Sequence, residues 1–278
     1  MLNLKTLSAE DFQFAIRLTD TMNWNLVKED FEWMTEIEPD GCFVIFDDLT
    51  RIGIATTISY GQIGWLGNVV VSEIHRGKGA GSVLVKHCMD YLINRGVETI
   101  GLYSYVERVP FYRRLGFKGY SKFVILNGNG LSASVKAYPE ISNKDISEVI
   151  NLDGLCFGTE RKKLLKPILL DSDNLSYKSV EKGRMLGFIV TKVYGGSAEI
   201  GPLVCEKGRS DIALDLIKCT LNALPNTKVS ICIPEQESEI YNMLTNFGFA
   251  EDFRTVRMLY GTQIYQDCVY AAESLERG

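Results

Sequence analysis

The chain has 278 residues, of which 46% are hydrophobic and 23% charged, with 30 basic and 35 acidic residues for a formal net charge of −5. Such a composition belongs to a folded globular chain and excludes a disordered, collagen-like or coiled-coil protein. The acidic balance argues against a dedicated nucleic-acid binder, which carries a basic face, and the length allows one large domain or two modest ones.

In chain order, residues 8–37 read as helical, with Ser8 and Asp11 as a capping pair and apolar residues recurring at Phe12, Ile16, Leu18, Leu26, Phe31 and Met34. Glu38-Pro39-Asp40-Gly41 is turn chemistry. Short strands are expected at 42–46, 51–60 and 63–71, followed by a glycine-rich turn and an apolar-periodic helix from about Gly79 to Asn94. Gly96 stands where such a helix stops. A strand at 98–105, a short helix at 110–115 ended by Gly116, and a strand at 123–126 close the first half. Asn127-Gly128-Asn129-Gly130 has linker chemistry.

The same order then recurs. Helices are expected at 145–155 and 161–170, strands at 182–193 and 199–205, and a helix at 211–224. A strand at 229–233, a helix at 238–246 and a strand at 255–259 complete the chain. Gly67-Asn68-Val69-Val70-Val71 lies over Gly201-Pro202-Leu203-Val204-Cys205, and Leu115-Gly116-Phe117 over Phe247-Gly248-Phe249. Two mixed α/β domains of similar fold follow, 1–130 and 131–278.

Rare residues narrow the chemistry. The histidines are His75 and His87 alone, and the seven cysteines never form CxxC, so no metal site is expected. The cysteines sit among apolar neighbours and read as buried reduced thiols. Neither histidine has a nucleophile-elbow partner nearby, which disfavours a covalent triad. No apolar run approaches the roughly 20 residues that cross a bilayer. The opening residues lack the basic start and apolar core of a signal peptide. The expectation is a cytoplasmic protein with no membrane or nucleic-acid partner.

The sharpest signal is Val69-Val70-Val71-Ser72-Glu73-Ile74-His75-Arg76-Gly77-Lys78-Gly79-Ala80-Gly81-Ser82. It combines a buried strand, a turn and a glycine-rich helix start. Glycines at 77, 79 and 81 let a ligand approach the backbone, whose N–H groups and dipole favour an anion there. This is a pyrophosphate cradle, to which Arg76 and Lys78 either add charge or stand as solvated turn residues. A P-loop needs a Gly-Lys-Ser/Thr ending that is absent. A dinucleotide fingerprint fits only in part, because Ser82 replaces its third glycine.

The chain resembles the GCN5-related N-acetyltransferase (GNAT) superfamily. Arg76-Gly77-Lys78-Gly79-Ala80-Gly81 matches that family's [RQ]-x-x-G-x-[GA] phosphate motif, and Val109-Pro110-Phe111-Tyr112-Arg113-Arg114-Leu115-Gly116-Phe117 resembles its short helix with a tyrosine before Gly-Phe. Met22-Asn23-Trp24-Asn25, Glu38-Pro39-Asp40-Gly41-Cys42-Phe43 and Phe253-x-Thr255-x-x-Met258-x-x-Gly261 resemble a subgroup with a catalytic first unit and a divergent second one. The resemblance implies an α+β fold of two tandem units, each a mostly antiparallel twisted sheet flanked by helices.

It also implies acetyl-CoA as cosubstrate, lying between strands 67–71 and 98–105, with Val69, Val70, Val71, Arg76, Gly77, Lys78, Gly79, Ala80, Gly81, Ser82 and Tyr105 as cofactor-binding residues. Tyr105 falls where many relatives have a pantetheine-binding asparagine. Tyr112 is the expected acid for the departing thiolate. No general base stands out: Glu73 and His75 are expected to face solvent or cap structure, and deprotonation through water is the default. In the second half Ser210, Ala213, Asp215 and Leu244 stand in the places of Arg76, Gly79, Gly81 and Tyr112, so one active site is expected. The leading function is acetyl transfer to a small amine. The alternatives are acetylation of a protein lysine or N-terminus, and a non-catalytic acyl-CoA sensor.

Overall fold

A computed structural model of the chain describes residues 1–132, 136–264 and 268–278. Apolar strands of both halves join one mixed sheet of twelve strands. In the first half β1 (Leu2–Thr6), β2 (Cys42–Asp47), β3 (Thr50–Ser59) and β4 (Ile63–Val71) run antiparallel in succession. The helix α3 (Ala80–Asn94) then crosses over to β5 (Thr99–Tyr105), which lies parallel to β4. In the second half β7 (Leu175–Glu181), β8 (Arg184–Tyr194) and β9 (Ser197–Cys205) run antiparallel, and α7 (Ser210–Asn222) leads to a parallel β10 (Lys228–Pro234). The internal repeat is therefore visible as topology.

The halves do not close separately. The last strand of the first half, β6 (Lys118–Asn129), pairs with β10 of the second. The long second-half strand β11 (Ala250–Gly261) inserts between β5 and β6. The order β1-β2-β3-β4-β5-β11-β6-β10-β9-β8-β7 follows. β6 and β11 thus cross between the halves, and the edges they meet, β10 and β5, are not left open to solvent. The sheet runs continuously across residue 130, the boundary expected from the sequence.

Helices cover the faces. α3 packs on the first-half strands over Leu66, Leu84, Leu92 and Leu102, and α7 on the second-half strands over Ile189, Leu203, Leu216 and Ile231. Opposite α3, α1 (Phe12–Asp20) and α2 (Lys28–Ile37) bury Phe12, Leu18, Phe31 and Met34. Between the halves, α5 (Ile146–Phe157) and α6 (Lys162–Leu170) lay Phe157, Leu164 and Ile168 against Trp65 of β4 and Phe188 of β8. Trp65 is fully buried, with ring centroids 5.3 Å from Tyr103 and 6.0 Å from Phe157. That shared apolar core welds the two units.

Several expected elements need correction. The helix at 8–37 is two helices, broken where Asn23 and Asn25 take φ of 57° and 53°. That conformation suits asparagine and stops a helix. The strands β1 and β7 and the short β12 (Val269–Ala271) were not expected. The segment 127–130 is no linker, because Asn127, Gly128 and Asn129 pair with Ser230, Val229 and Lys228. Its glycines answer to packing: a Cβ at Gly128 would lie 2.4 Å from the Phe249 ring, and one at Gly130 only 1.7 Å from the Leu224 carbonyl oxygen. All seven cysteines are free, and six of them are buried.

Candidate functional site

The site arises where two parallel strands part. β4 and β5 are in register only over Ile63–Thr99, Gly64–Ile100 and Trp65–Gly101. Beyond Trp65 they diverge. On its other side β4 carries a bulge: Thr56 faces Gly67 and Ile54 faces Val70, which leaves Asn68 and Val69 opposite Ala55 alone. Asn68 takes φ of 51° and donates its side-chain amide to Thr56 Oγ1 at 3.2 Å. A bulge of this kind turns backbone groups away from the ladder and toward the opening.

The opening is a cleft of about 1460 Å³. Val69, Val70, Val71, Arg76, Gly77, Gly79, Gly81, Ser82, Tyr105 and Tyr112 all line it. Val70 and Val71 send their side chains into cores on opposite faces of the sheet, so both are buried strand residues as well. Lys78 and Ala80, the other expected cofactor-binding residues, are not among those that line it. Ala80 is buried at the start of α3, and Lys78 is exposed.

At one end of the cleft lies the cradle. Gly77 and Gly79 take φ of 75° and 89°, and a Cβ at either would meet nothing within 4 Å. Here the backbone conformation requires glycine and the space beside it stays open. Gly79 caps α3, whose first internal acceptor bond runs from Val83 N–H to the Gly79 carbonyl at 3.1 Å. The earlier N–H groups of the helix have no partner within it and point outward with the dipole. Arg76 is tied by Nε to the Val71 carbonyl at 2.8 Å, while Arg108 and Arg114 also line the cleft.

Tyr112 lies midway on α4 (Val109–Arg114), between Phe111 and Phe117 at 4.9 and 5.9 Å ring separation. Burial and the nearby Cys88 push its hydroxyl well above the ordinary phenol range, so it stays protonated at neutral pH. Glu73 is exposed and His75 Nδ1 pairs with Ser72 Oγ at 2.8 Å; neither lines the cleft. Tyr105 accepts a hydrogen bond from Trp24 Nε1 at 2.9 Å and packs on Phe253 at 5.1 Å. It belongs to an aromatic wall that sequence reasoning did not assemble.

Also unforeseen in the wall are Glu199, Leu275 and Glu276. Nothing in the sequence analysis pointed to segment 268–278, and only its tertiary course brings it to the cleft. Among the described residues no group of three or more His, Cys, Asp or Glu is placed to hold a metal ion, and no helix is long and apolar enough to cross a membrane.

The second half has the same divergence, with a different outcome. β9 and β10 pair from Ser197–Lys228 to Ile200–Ile231 and then separate. There β12 fills the gap, pairing Val269 with Val204 and Ala271 with Leu203, while Ala272 N–H bonds the Cys232 carbonyl at 2.9 Å. Ala213 and Leu244 are fully buried in the α7 core. Asp215 stands at the surface beside Lys136 and Lys218.

Two family models match this chain, an acetyltransferase (GNAT) family over residues 5–117 and an acetyltransferase (GNAT) domain over 149–270. An uncharacterized N-acetyltransferase of Methanocaldococcus jannaschii is 29% identical over 102 residues, which are 32% of this chain and 43% of that protein. The match therefore spans less than half the length of that relative. Another uncharacterized N-acetyltransferase, from Bacillus subtilis, is 22% identical over 200 residues, covering 69% of this chain and 68% of its own. Among solved structures, a putative acetyltransferase from Pyrococcus horikoshii superposes with a TM-score of 0.83 at 22% identity, covering 100% of this chain and 96% of the other. A GCN5-related N-acetyltransferase from Sphaerobacter thermophilus gives 0.67 at 13% identity, over 96% and 98%. These likenesses speak to the fold.

Proposed function

Because this chain belongs to the GNAT acetyltransferase family, we propose that it transfers an acetyl group from acetyl-CoA to a primary amine of a small molecule, by direct attack in one active site in the first half. The observation that carries this reading is the β4–β5 divergence opening onto the glycine-capped start of α3. The free N–H groups of α3 bind the pyrophosphate, and Arg76, Arg108 and Arg114 line the same cleft. Backbone groups of β4 at the bulge hold the pantetheine arm and polarise the thioester carbonyl, which also stabilises the oxyanion. Tyr112 keeps its proton until the thiolate departs and then donates it.

A single site is supported by the second half, where β12 occupies the corresponding gap and Leu244 is sealed in the core. The second half instead supplies part of the acceptor wall, through Tyr194 and Glu199. A small acceptor is favoured over a protein because that wall and the 22–26 loop both line the cleft. A non-catalytic sensor would have no use for a protonated tyrosine beside the cradle.

Calorimetry with acetyl-CoA, coupled to free-CoA release across a panel of amines, tests the reading. One site per chain is expected, and Gly79→Asp should abolish it, because a carboxylate at the helix start repels the phosphates. Two sites, or undiminished binding by the variant, would overturn the assignment.

A further inference from the structure

Segment 268–278 leaves β12 and returns across the shared core to β4. Trp65 Nε1 donates to the Leu275 carbonyl at 3.3 Å, and Tyr60 Oη to the Arg277 carbonyl at 2.9 Å. At Gly67 the two backbones touch: a Cβ there would lie 2.4 Å from the Glu276 carbonyl oxygen and 2.6 Å from its Cα. Glu276 is thereby set on β4 immediately before the bulge at Asn68 and Val69, where the strand's backbone turns toward the cleft. Its side chain keeps 21% of its surface accessible, and the residue lines the cleft.

The charges around it do not balance. Lys192 binds Glu199 at 2.8 Å and Glu273 at 2.6 Å; Arg277 binds Glu273 at 3.1 Å and also pairs with Glu276. Three carboxylates against two cations leave one surplus negative charge. Both cations are about 95% buried behind the wall, whereas Glu199 and Glu276 reach the cleft. An entering ammonium group restores neutrality, and a partly desolvated site makes that attraction stronger than in water.

We infer that Glu276 is the catalytic residue that receives the acceptor's ammonium group and takes its proton as the amine attacks. This rests on the acetyl-transfer reading and adds the base that the sequence left to water. The amine gives up one proton to the Glu276 carboxylate, directly or through a water molecule. Its lone pair then forms the C–N bond at the thioester carbonyl. The tetrahedral adduct collapses, the C–S bond breaks, and Tyr112 protonates the sulfur. The second N–H proton leaves to solvent, which also takes the proton from Glu276 and restores that of Tyr112.

Burial raises the Glu276 carboxyl, Glu199 and Glu273 raise it further, and Arg277 and Lys192 pull it down; the net direction is upward. A carboxylate raised toward neutral pH is a better proton acceptor than an exposed one. Other acidic groups are placed less well. Glu73 lies outside the cleft, and Asp252 at the rim accepts from Asn127 at 2.9 Å. Glu199 and Glu276 each pair with one buried cation, Lys192 and Arg277, but it is Glu276 that packs on Gly67 of β4 beside the bulge.

The test measures kcat, KM and their pH dependence for the intact chain with acetyl-CoA and a panel of spermidine, tyramine and glucosamine. Glu276→Gln keeps size and polarity. It should lower kcat/KM for the amine on the order of 10²-fold and flatten the acidic limb, with the acetyl-CoA Kd unchanged. Glu276→Asp should keep the limb and lose part of kcat. If both variants retain the wild-type profile, Glu276 is not the base. A merely structural role predicts a lower melting temperature or weaker acetyl-CoA binding with the limb intact, which also overturns the inference. If the wild-type chain binds no acetyl-CoA or releases no CoA with any amine, the acetyl-transfer reading falls, and this inference with it.

Discussion

Gly67→Ala tests the close contact between β4 and segment 268–278 at a single atom. The new Cβ would sit 2.4 Å from the Glu276 carbonyl oxygen and 2.6 Å from its Cα and Cβ. Comfortable contact begins near 3.4 Å, so one backbone must give by about 1 Å, which a close-packed interior resists. β4 is held by β3 on one side and, up to Trp65, by β5 on the other, so the segment gives first. Its movement strains the bonds from Trp65 and Tyr60 to the carbonyls of Leu275 and Arg277. Overpacking of this kind costs typically 1–3 kcal/mol, which corresponds to a fall of roughly 2–12 °C in Tm for a chain of this size. A thermal melt by circular dichroism reads it, and acetyl transfer should fall in parallel because Glu276 is displaced. Gly77→Ala is the control: open space surrounds its Cβ. Its cost is therefore only the left-handed backbone penalty of about 1–2 kcal/mol. A Gly67→Ala protein that melts with the wild type would refute the packed course of the segment.

Tyr112→Phe should lower turnover on the order of 10²-fold while acetyl-CoA binding by calorimetry is unchanged, and unaltered turnover would remove its role as acid. Since β6 and β11 cross between the halves, urea unfolding should be one transition. The Trp fluorescence of the first half and thiol reactivity of Cys205 and Cys219 in the second should change together; two separated transitions would contradict the shared sheet. Arg277 and Lys192 depress the buried Glu273 carboxyl from 4.5 to about 2. A depressed carboxylate stabilises the fold fully above its unfolded pKa, and that contribution is lost as pH falls from about 4.5 toward 2. The urea midpoint should therefore drop over that window. Glu273→Gln, which leaves two buried cations short of a partner, should cost about 3–5 kcal/mol at neutral pH and flatten the drop.

Local chemistry was legible in the sequence. Glycines at 77 and 79, the apolar period of α3 and the bounds of β4 are set by backbone conformation and by side chains a few residues apart, so the glycine-rich turn and its helix could be read directly. Tyr112 could be placed on its short helix by the same reasoning, and the repeat by the order of elements. Other features had no local signature. The exchange of β6 and β11 depends on which edge each strand meets, and strand pairing is decided by partners more than a hundred residues away. Gly128 and Gly130 look like a linker by residue type, yet each makes room for an atom from a distant element. Glu273, Glu276 and Arg277 look like a solvated charged run. Only the tertiary course of their segment, anchored by Trp65 and Tyr60, buries their charges against Lys192 and sets Glu276 at the cleft wall. The glycine-rich turn and the start of α3 are determined by short-range conformation and so are written in the sequence. The charged wall of the cleft was decided by long-range packing, because charges placed by contacts across the fold leave no pattern in the chain that carries them.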